Sequence, residues 1–165
     1  MKDTAWLVTA RSLIGTRELA GPANSPTIMG WIKRLGSKLG VTVRDDATPW
    51  CGTFVAHCVT SAGLTPPPIA VRASAWSTWG SDLPADRLAS GTVLVFSRDG
   101  GGHVAFYVGE DRNNYHVLGG NQSDAVNITR IAKNRCVARR WPKGIPVEGS
   151  PVWLAAKGAV SKNEV

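Results

Sequence analysis

The chain has few cysteines, no long apolar run and fewer acidic than basic residues, and each shortage excludes a class of protein. Three cysteines among 165 residues are too few, and odd in number, for a disulfide framework. No apolar run approaches the roughly 18 residues that a membrane span needs, so we expect no span. A chain of this length predicts about one domain with a sizeable buried core.

The N-terminal segment also lacks the pattern of a secretory signal. Its apolar run from Ala5 to Ala10 is interrupted by Thr9 and closed by Arg11, and no small-residue cleavage site follows. We therefore expect synthesis in the cytoplasm without a signal peptide.

The charge balance is basic, with 19 Lys and Arg against 12 Asp and Glu and a formal net charge of +7. A basic surface favours anionic partners such as nucleic acid, lipid headgroups or the bacterial wall. The basic residues are scattered, with the densest groups at 33–38 and 130–143, and no nucleic-acid-binding motif accompanies them. We therefore expect no nucleic-acid partner.

The first half of the chain has helical periodicity. Apolar residues recur at helical spacing over 6–14, and Gly15 stops the run. Ser25 followed by Pro26 is typical of the start of a second helix, whose apolar stripe continues toward Gly40. A third helix is predicted over about 50–62. The prolines that follow it mark a connection, because proline cannot continue a helix.

The second half changes to strand periodicity. Short apolar or alternating runs are separated by Gly, Asn and Asp turn residues, at 91–96, 103–109, 114–120, 125–131 and 136–141. Helices followed by an antiparallel meander predict an α+β fold, with N-terminal helices packed on an antiparallel sheet of five to six strands. We expect one domain over residues 1–145 and a C-terminal tail over 146–165.

The segment TPWCGTFVAHCV, residues 48–59, places Cys51 at the start of the third helix. A helix N-terminus presents unpaired N–H groups and about half a positive charge, which favours a thiolate over a thiol. Gly52 beside the thiol would leave room for a substrate backbone. A free cysteine is more often a small buried hydrophobic residue, and Cys58, two turns into the helix, fits that interpretation better.

A metal site is not expected, because a zinc site would need CxxC or HxxxH spacing and neither is present. No other cofactor is expected.

A thiolate nucleophile needs a base, and the chain has three histidines. His57 lies about 120° around the helix from Cys51, and nothing orients His116 within its strand. His103 follows a run of three glycines and opens a strand, from which its ring can point toward the helix end. A histidine that begins a strand is as often structural, so spacing alone leaves its role open.

An imidazole base also needs a polar group that fixes its tautomer. In the segment LGGNQSD, Asn121 follows a strand and can offer its amide oxygen to His103. Gln122 and Asp124 are competitors, although strand alternation places Gln122 on the opposite face. Asn121 can equally be a turn residue after Gly-Gly.

Five further residues are candidates for binding a substrate. Seven tryptophans are many for 165 residues; Trp50 adjoins the cysteine, and Trp76 and Trp79, three apart, would share one helix face. Gly102 and Tyr107 lie on either side of the His103 strand position. Core packing is the alternative role for each aromatic residue.

Three segments in this order, TPWCGTFVAHCVTSAGL, GTVLVFSRDGGGHVAFYVGE and VLGGNQSDAVNI, resemble the NlpC/P60 and CHAP superfamily of papain-like cysteine peptidases and amidases. The likeness spans about residues 5–142 and is greatest to a small phage-associated subgroup with the pattern PWC…GHV…GGNQSD. The segment GTRELAGPANSPTI also resembles that subgroup. One departure is Thr92, which stands where the family often has Asp and which bears on strand capping rather than on catalysis.

The resemblance implies a papain-like NlpC/P60 fold in which 1–145 is the catalytic domain. Cys51 would be the nucleophile, His103 the base and Asn121 its orienting group, with the Cys51 backbone N–H as an oxyanion donor. The implied activity is that of a peptidoglycan hydrolase, either a cysteine endopeptidase or an N-acetylmuramoyl-L-alanine amidase.

The resemblance further implies a phage or phage-like endolysin or tail-associated lysin that acts at the bacterial cell wall, in the periplasm or from a phage particle. The expected partner is peptidoglycan, with a phage holin or tail assembly beside it, and the expected state is a monomer. One alternative is an acyltransferase on the same Cys–His scaffold, because an amine can take the thioester instead of water. Another is a non-catalytic wall-binding virion module, which would not need Cys51, His103 and Asn121 together.

Overall fold

A computed structural model describes residues 2–19 and 23–164 of the chain. Within this part, three α-helices come first: α1 (Ala5–Ser12), α2 (Pro26–Leu35) and α3 (Cys51–Ser61). Short 3₁₀ helices lie between the larger elements, at Gly36–Leu39, Ala73–Thr78, Ala85–Arg87 and Lys133–Arg135. No helix in the described ranges has the length and apolar character that crossing a bilayer requires.

The helix starts follow local capping chemistry. The Thr4 hydroxyl accepts from the backbone N–H of Leu7 at the start of α1, and the Ser25 hydroxyl accepts from Ile28 at the start of α2. Pro26 occupies the first turn of α2, as predicted. The α-helical part of α2 ends before Gly36, whose φ of 50° leaves the right-handed helical region.

One sheet contains all seven strands of the described residues: β1 (Ser81–Asp82), β2 (Val93–Arg98), β3 (Gly101–Glu110), β4 (Asn114–Gly119), β5 (Asn127–Ala132), β6 (Cys136–Trp141) and β7 (Val160–Ser161). Their order is β1-β6-β2-β3-β4-β5-β7, and every pairing is antiparallel except β5 with β7. The predicted α+β class is confirmed. The predicted count of five to six strands is too low, because β1 and β7 are two-residue pairings.

The two faces of the sheet carry different cores. The helices cover the face to which β3 contributes Val104, Phe106 and Val108, and Phe54 of α3 packs edge-on against Phe106 with ring centroids 6.2 Å apart. Ala105 belongs to a second cluster on the other face. Alternation along β3 therefore separates the contacts of α3 from those of the second core.

Thr92, which stands where the resembling sequences often have Asp, caps the turn that precedes β2. Its side chain is fully buried, its hydroxyl donates to the Ala89 carbonyl at 2.7 Å, and it accepts from the Ala89 N–H at 3.2 Å. The turn before β2 is therefore closed by a threonine.

Parts of the predicted tail belong to the sheet. The Glu110 N–H donates to the Val152 carbonyl at 2.7 Å, and the Leu154 N–H donates to the Glu110 carbonyl at 2.8 Å. Further along, the carboxylate of Glu164 is buried against Arg135, with a closest N–O distance of 2.6 Å. The stretches around 152–154 and 160–164 thus pack on the same unit that carries the helices.

Candidate active site

Cys51 lies at the first position of α3, with only 4% of its surface exposed. Trp50 is the N-cap residue, and its side chain makes no capping hydrogen bond to the helix. The first helical bond runs from the Phe54 N–H to the Trp50 carbonyl at 2.9 Å. The N–H groups of the first turn therefore have no side-chain cap and point toward the helix start, where they favour negative charge.

The surroundings of the thiol favour its ionised form. Burial on its own raises the pKa of the Cys51 thiol. A hydrogen bond and the ring charge of His103, the backbone N–H of Val104 and the charge of Arg98 act in the opposite direction and outweigh burial. The pKa of Cys51 is therefore lowered from its ordinary value of 9.0, as a nucleophilic cysteine requires.

His103 is fully buried, and its two ring nitrogens have different environments. Nε2 lies 2.9 Å from Oε1 of Gln122, which leaves Nδ1 for the thiol. Nδ1 itself makes no contact that satisfies strict hydrogen-bond geometry with any described residue. The thiol is thus near the ring but not fully aligned with it, as is common for catalytic pairs without substrate.

The His103 ring is hydrogen-bonded to Gln122 and not to Asn121, the residue predicted to orient it. That prediction assumed that strand alternation continues through the segment, but β4 ends at Gly119. Asn121 has a φ of 57°, and the Gln122 N–H donates to the Ala125 carbonyl, so the chain turns here instead of running straight. Asn121 is a buried turn residue in the left-handed region, which asparagine tolerates well.

Two small neighbours make room for Gln122. A Cβ at Gly119 would lie 2.5 Å from Oε1 of Gln122 and 2.9 Å from the Cβ of Ala105. The amide oxygen that meets His103 therefore occupies space that only glycine at position 119 leaves open.

The thiol borders a groove with a volume of about 610 Å³. Its walls come from the loop before α3, the segment that contains Arg72, the hairpin end of β2 and β3, and Val137 of β6. Arg72 and Arg98 both line it, and none of the described residues in its lining is acidic. A larger cleft of about 750 Å³ near Leu83 is lined by neither cysteine nor histidine.

Of the two glycines predicted to bind substrate, only Gly102 lines this groove. Gly52 does not, because a Cβ at this position would collide with the carbonyl groups of Ala70 and Val71. Gly52 is needed for close packing of α3 against that segment, not for substrate access.

The tryptophans predicted to line the groove do not do so. Trp50 is 1% exposed and donates through Nε1 to Oε2 of Glu18 at 3.1 Å, and Trp76 is fully buried and donates to the Ala70 carbonyl. Trp79 packs edge-on against Trp76 and faces a different cleft. Core packing accounts for Trp50 and Trp76, and Trp79 donates through Nε1 to the carbonyl of Thr65, beside the prolines at 66–68.

Tyr107, predicted to bind substrate, does not line the groove either. It is fully buried in the second core, on the sheet face away from the main core of α3. Its hydroxyl donates to the carboxylate of Glu110 at 2.8 Å and accepts from the Val152 N–H at 3.0 Å. Tyr107 therefore fastens the segment around 152 to the sheet.

The other thiols have no comparable surroundings. All three cysteines are free, and burial raises the pKa of the fully buried Cys58 thiol far above its ordinary value. Among residues 2–19 and 23–164, no three His, Cys, Asp or Glu side chains converge in a way that could hold a metal ion.

Sequence reasoning missed the roles of Gln122, Val104 and Arg98. Gln122 was visible in the GGNQSD segment as a competitor of Asn121, and the two preceding glycines were a signal that the strand stops there. Val104 affects the thiol through its backbone N–H, and the charge of Arg98 affects it because the β2–β3 hairpin lies near Cys51. Neither effect has a side-chain pattern that sequence spacing could reveal.

The chain matches no family model and no curated protein sequence. Among solved structures it is similar to RipD from Mycobacterium tuberculosis, described as a non-catalytic NlpC/p60 domain protein with an adaptation to peptidoglycan-binding function. The two are 17% identical with a TM-score of 0.49, over 82% of this chain and 92% of that chain. At this degree of likeness neither the activity nor the substrate of this chain follows from that of RipD.

Proposed function

We propose that the protein is a papain-like cysteine hydrolase of the NlpC/P60 type that cleaves amide bonds in peptidoglycan. The observation that carries this proposal is the convergence of Cys51, which lines the groove, with the buried His103 and Gln122 from a later part of the chain. A nucleophile, a base and a group that orients the base are the parts that covalent acyl transfer needs.

In the first half of the reaction, the Cys51 thiol gives its proton to Nδ1 of His103, and the sulfur attacks the carbonyl carbon of a bound amide. A carbon–sulfur bond forms, and the carbonyl oxygen takes the negative charge. The uncapped N–H of Cys51 at the start of α3 is positioned to donate to that oxygen. The carbon–nitrogen bond then breaks, and the amine leaves with the proton that His103 held.

In the second half, water replaces the amine. His103 takes one proton from the water, and the hydroxyl oxygen attacks the thioester carbon. The carbon–sulfur bond breaks, the carboxylic acid product leaves, and the proton returns to the sulfur. Gln122 accepts a hydrogen bond from the imidazolium in both halves and so stabilises the charge that appears on the ring.

Two features support peptidoglycan as the substrate. The PWC, GHV and GGNQSD segments resemble those of phage-associated enzymes that act on this polymer. The groove carries Arg72 and Arg98, and the whole chain has a formal net charge of +7, both of which favour an anionic polymer. We accordingly place the protein among phage or phage-like lysins that act at the bacterial cell wall.

The test is digestion of purified peptidoglycan by the wild-type protein and by Cys51→Ala, with mass spectrometry of the soluble fragments. We expect fragments from the wild type and none from Cys51→Ala, while Cys136→Ala, which alters a thiol outside the groove, keeps full activity. New peptide ends would identify an endopeptidase, and free lactyl groups on the glycan would identify an amidase. Equal release by Cys51→Ala and the wild type would refute the proposal.

A further inference from the structure

The side chain of Gln122 is held from behind by Asn127, the first residue of β5. Nε2 of Gln122 donates to the backbone carbonyl of Asn127 at 2.8 Å and to its Oδ1 at 2.9 Å. In return, Nδ2 of Asn127 donates to the backbone carbonyl of Gln122 at 2.8 Å. The two residues therefore clasp each other across the turn that joins β4 to β5.

This clasp fixes which end of the Gln122 amide faces His103. A backbone carbonyl can only accept, so the Gln122 atom beside the Asn127 carbonyl must be the NH₂ group. The Gln122 carbonyl likewise accepts from Asn127, which orients the second amide and turns its Oδ1 toward the same NH₂ group. The amide oxygen of Gln122 is therefore the atom that meets the imidazole.

The orientation of the amide in turn fixes the tautomer of His103. An amide oxygen can only accept, so Nε2 of His103 must carry a proton. In the neutral ring, Nδ1 then has the free lone pair, and Nδ1 is the nitrogen left for the thiol. A reversed amide would present its NH₂ group to Nε2, move the ring proton to Nδ1 and remove the base from the side of the sulfur.

We propose that Asn127 is a positioning residue that keeps His103 in the Nε2–H tautomer through Gln122. This inference rests on the proposed function for its catalytic meaning, since the tautomer matters because His103 takes a proton from Cys51. Asn127 is hydrogen-bonded to Gln122 and, within the described part of the chain, to neither the thiol nor the imidazole. Its effect is exerted through the clasp.

The clasp predicts different outcomes for two substitutions. Asn127→Ala keeps the backbone carbonyl at position 127 but removes the second acceptor of the Gln122 NH₂ group and the donor that anchors the Gln122 carbonyl. The turn can then shift away from that backbone carbonyl, and the amide can reverse. Asn127→Asp keeps the acceptor but cannot donate, so it retains the amide orientation and loses only the anchor. Asn113→Ala is the matched control, because this exposed asparagine lies in the β3–β4 turn at the opposite end of β4.

The tautomer is read by nitrogen NMR of protein labelled with ¹⁵N-histidine, in a Cys51→Ala background in which no thiolate can hold the ring charged. His103 signals are assigned by their loss in His103→Gln. We expect a single Nε2–H form in the background protein, with Asn113→Ala and with Asn127→Asp. With Asn127→Ala we expect a mixture that includes the Nδ1–H form. With Cys51 restored, kcat/KM should fall roughly 10-fold for Asn127→Ala, which corresponds to about one lost hydrogen bond in support of the base.

A pure Nε2–H form in Asn127→Ala would overturn the inference, as would an Nδ1–H form in Asn127→Asp. If Asn127→Ala does not fold, the Asn127→Asp spectrum still decides, since retention of the tautomer supports the acceptor role and its loss refutes it. The NMR readout needs no turnover. Failure of the wild type to cut peptidoglycan would therefore remove the proposed function without altering the tautomer result.

Discussion

Replacing Gln122 by leucine tests the active site most selectively, because the change removes every polar atom of the side chain and keeps a similar volume. In the wild type that side chain makes three hydrogen bonds, one with His103 and two with Asn127. Gln122 is only 3% exposed, so water has little access to replace them. The variant should therefore lose both activity and some stability.

The expected loss follows from the bond to the imidazole. A hydrogen bond to a charged group is worth about 1.5–3 kcal/mol, and each 1.36 kcal/mol or so corresponds to a tenfold change in rate. Because the ring is charged in the transition state, Gln122→Leu should lower kcat/KM on purified peptidoglycan roughly 10- to 150-fold. Loss of three buried hydrogen bonds should lower the free energy of unfolding by about 3 kcal/mol, at about 1 kcal/mol each.

Asn121→Gly is the matched control, since the two residues are neighbours in the same turn. Asn121 has a φ of 57°, a conformation that glycine adopts without strain, so the variant removes only the amide. We expect unchanged kcat/KM for this variant, measured well below its unfolding temperature. A loss in Asn121→Gly as large as that in Gln122→Leu, or full activity in Gln122→Leu, would refute the assignment of the orienting residue.

Three further substitutions test the packing around the site. Gly119→Ala should displace Gln122 and lower kcat/KM, because the new Cβ would lie 2.5 Å from its amide oxygen. Gly30→Ala is the control, since a Cβ there would meet only the Arg34 side chain, at an ordinary contact distance of 3.5 Å. Equal activity in both variants would contradict the need for glycine at position 119. Tyr107→Phe should lower the free energy of unfolding by about 1–3 kcal/mol, because buried groups lose their hydrogen-bond partner. KM should stay unchanged, and a raised KM would indicate that Tyr107 contacts the substrate. Burial lowers the pKa of His57 from 6.5 to about 4, so the unfolded state takes up a proton at a higher pH than the folded state does. The free energy of unfolding should therefore fall as the pH drops from 6.5 toward 4. Urea unfolding of His57→Phe should show a weaker fall, and a fall identical to that of the wild type would contradict this role of His57.

The fold was predictable because its main elements have local signals. The Ser25-Pro26 start, the apolar stripes of the helices and the alternating runs of the five longer strands all lie within short windows of sequence. The strands β1 and β7 have two residues each and form only where the folded chain supplies a partner. The position of the segment around Val152 likewise depends on Tyr107 and Glu110, which are far away in the sequence.

The pairing of Cys51 with His103 was predictable from the sequence, whereas the partner of His103 and the walls of the groove were not. A cysteine at a helix start and a histidine at a strand start are local patterns, and the structure brings Cys51 and His103 together. The choice between Asn121 and Gln122 depended on where β4 ends, which follows from backbone angles and not from residue type. The tryptophans were misassigned because composition does not distinguish a groove wall from a core.

The proposed mechanism depends most directly on the proton affinity of the Cys51 thiol. This affinity is measured by site-resolved alkylation of the folded protein with iodoacetamide across the pH range, with Cys136 as the internal reference. We predict that Cys51 reacts with a midpoint below the ordinary thiol value of 9.0 and that His103→Ala raises that midpoint. A Cys51 midpoint at or above that value in the wild type, with no response to loss of His103, would contradict the account.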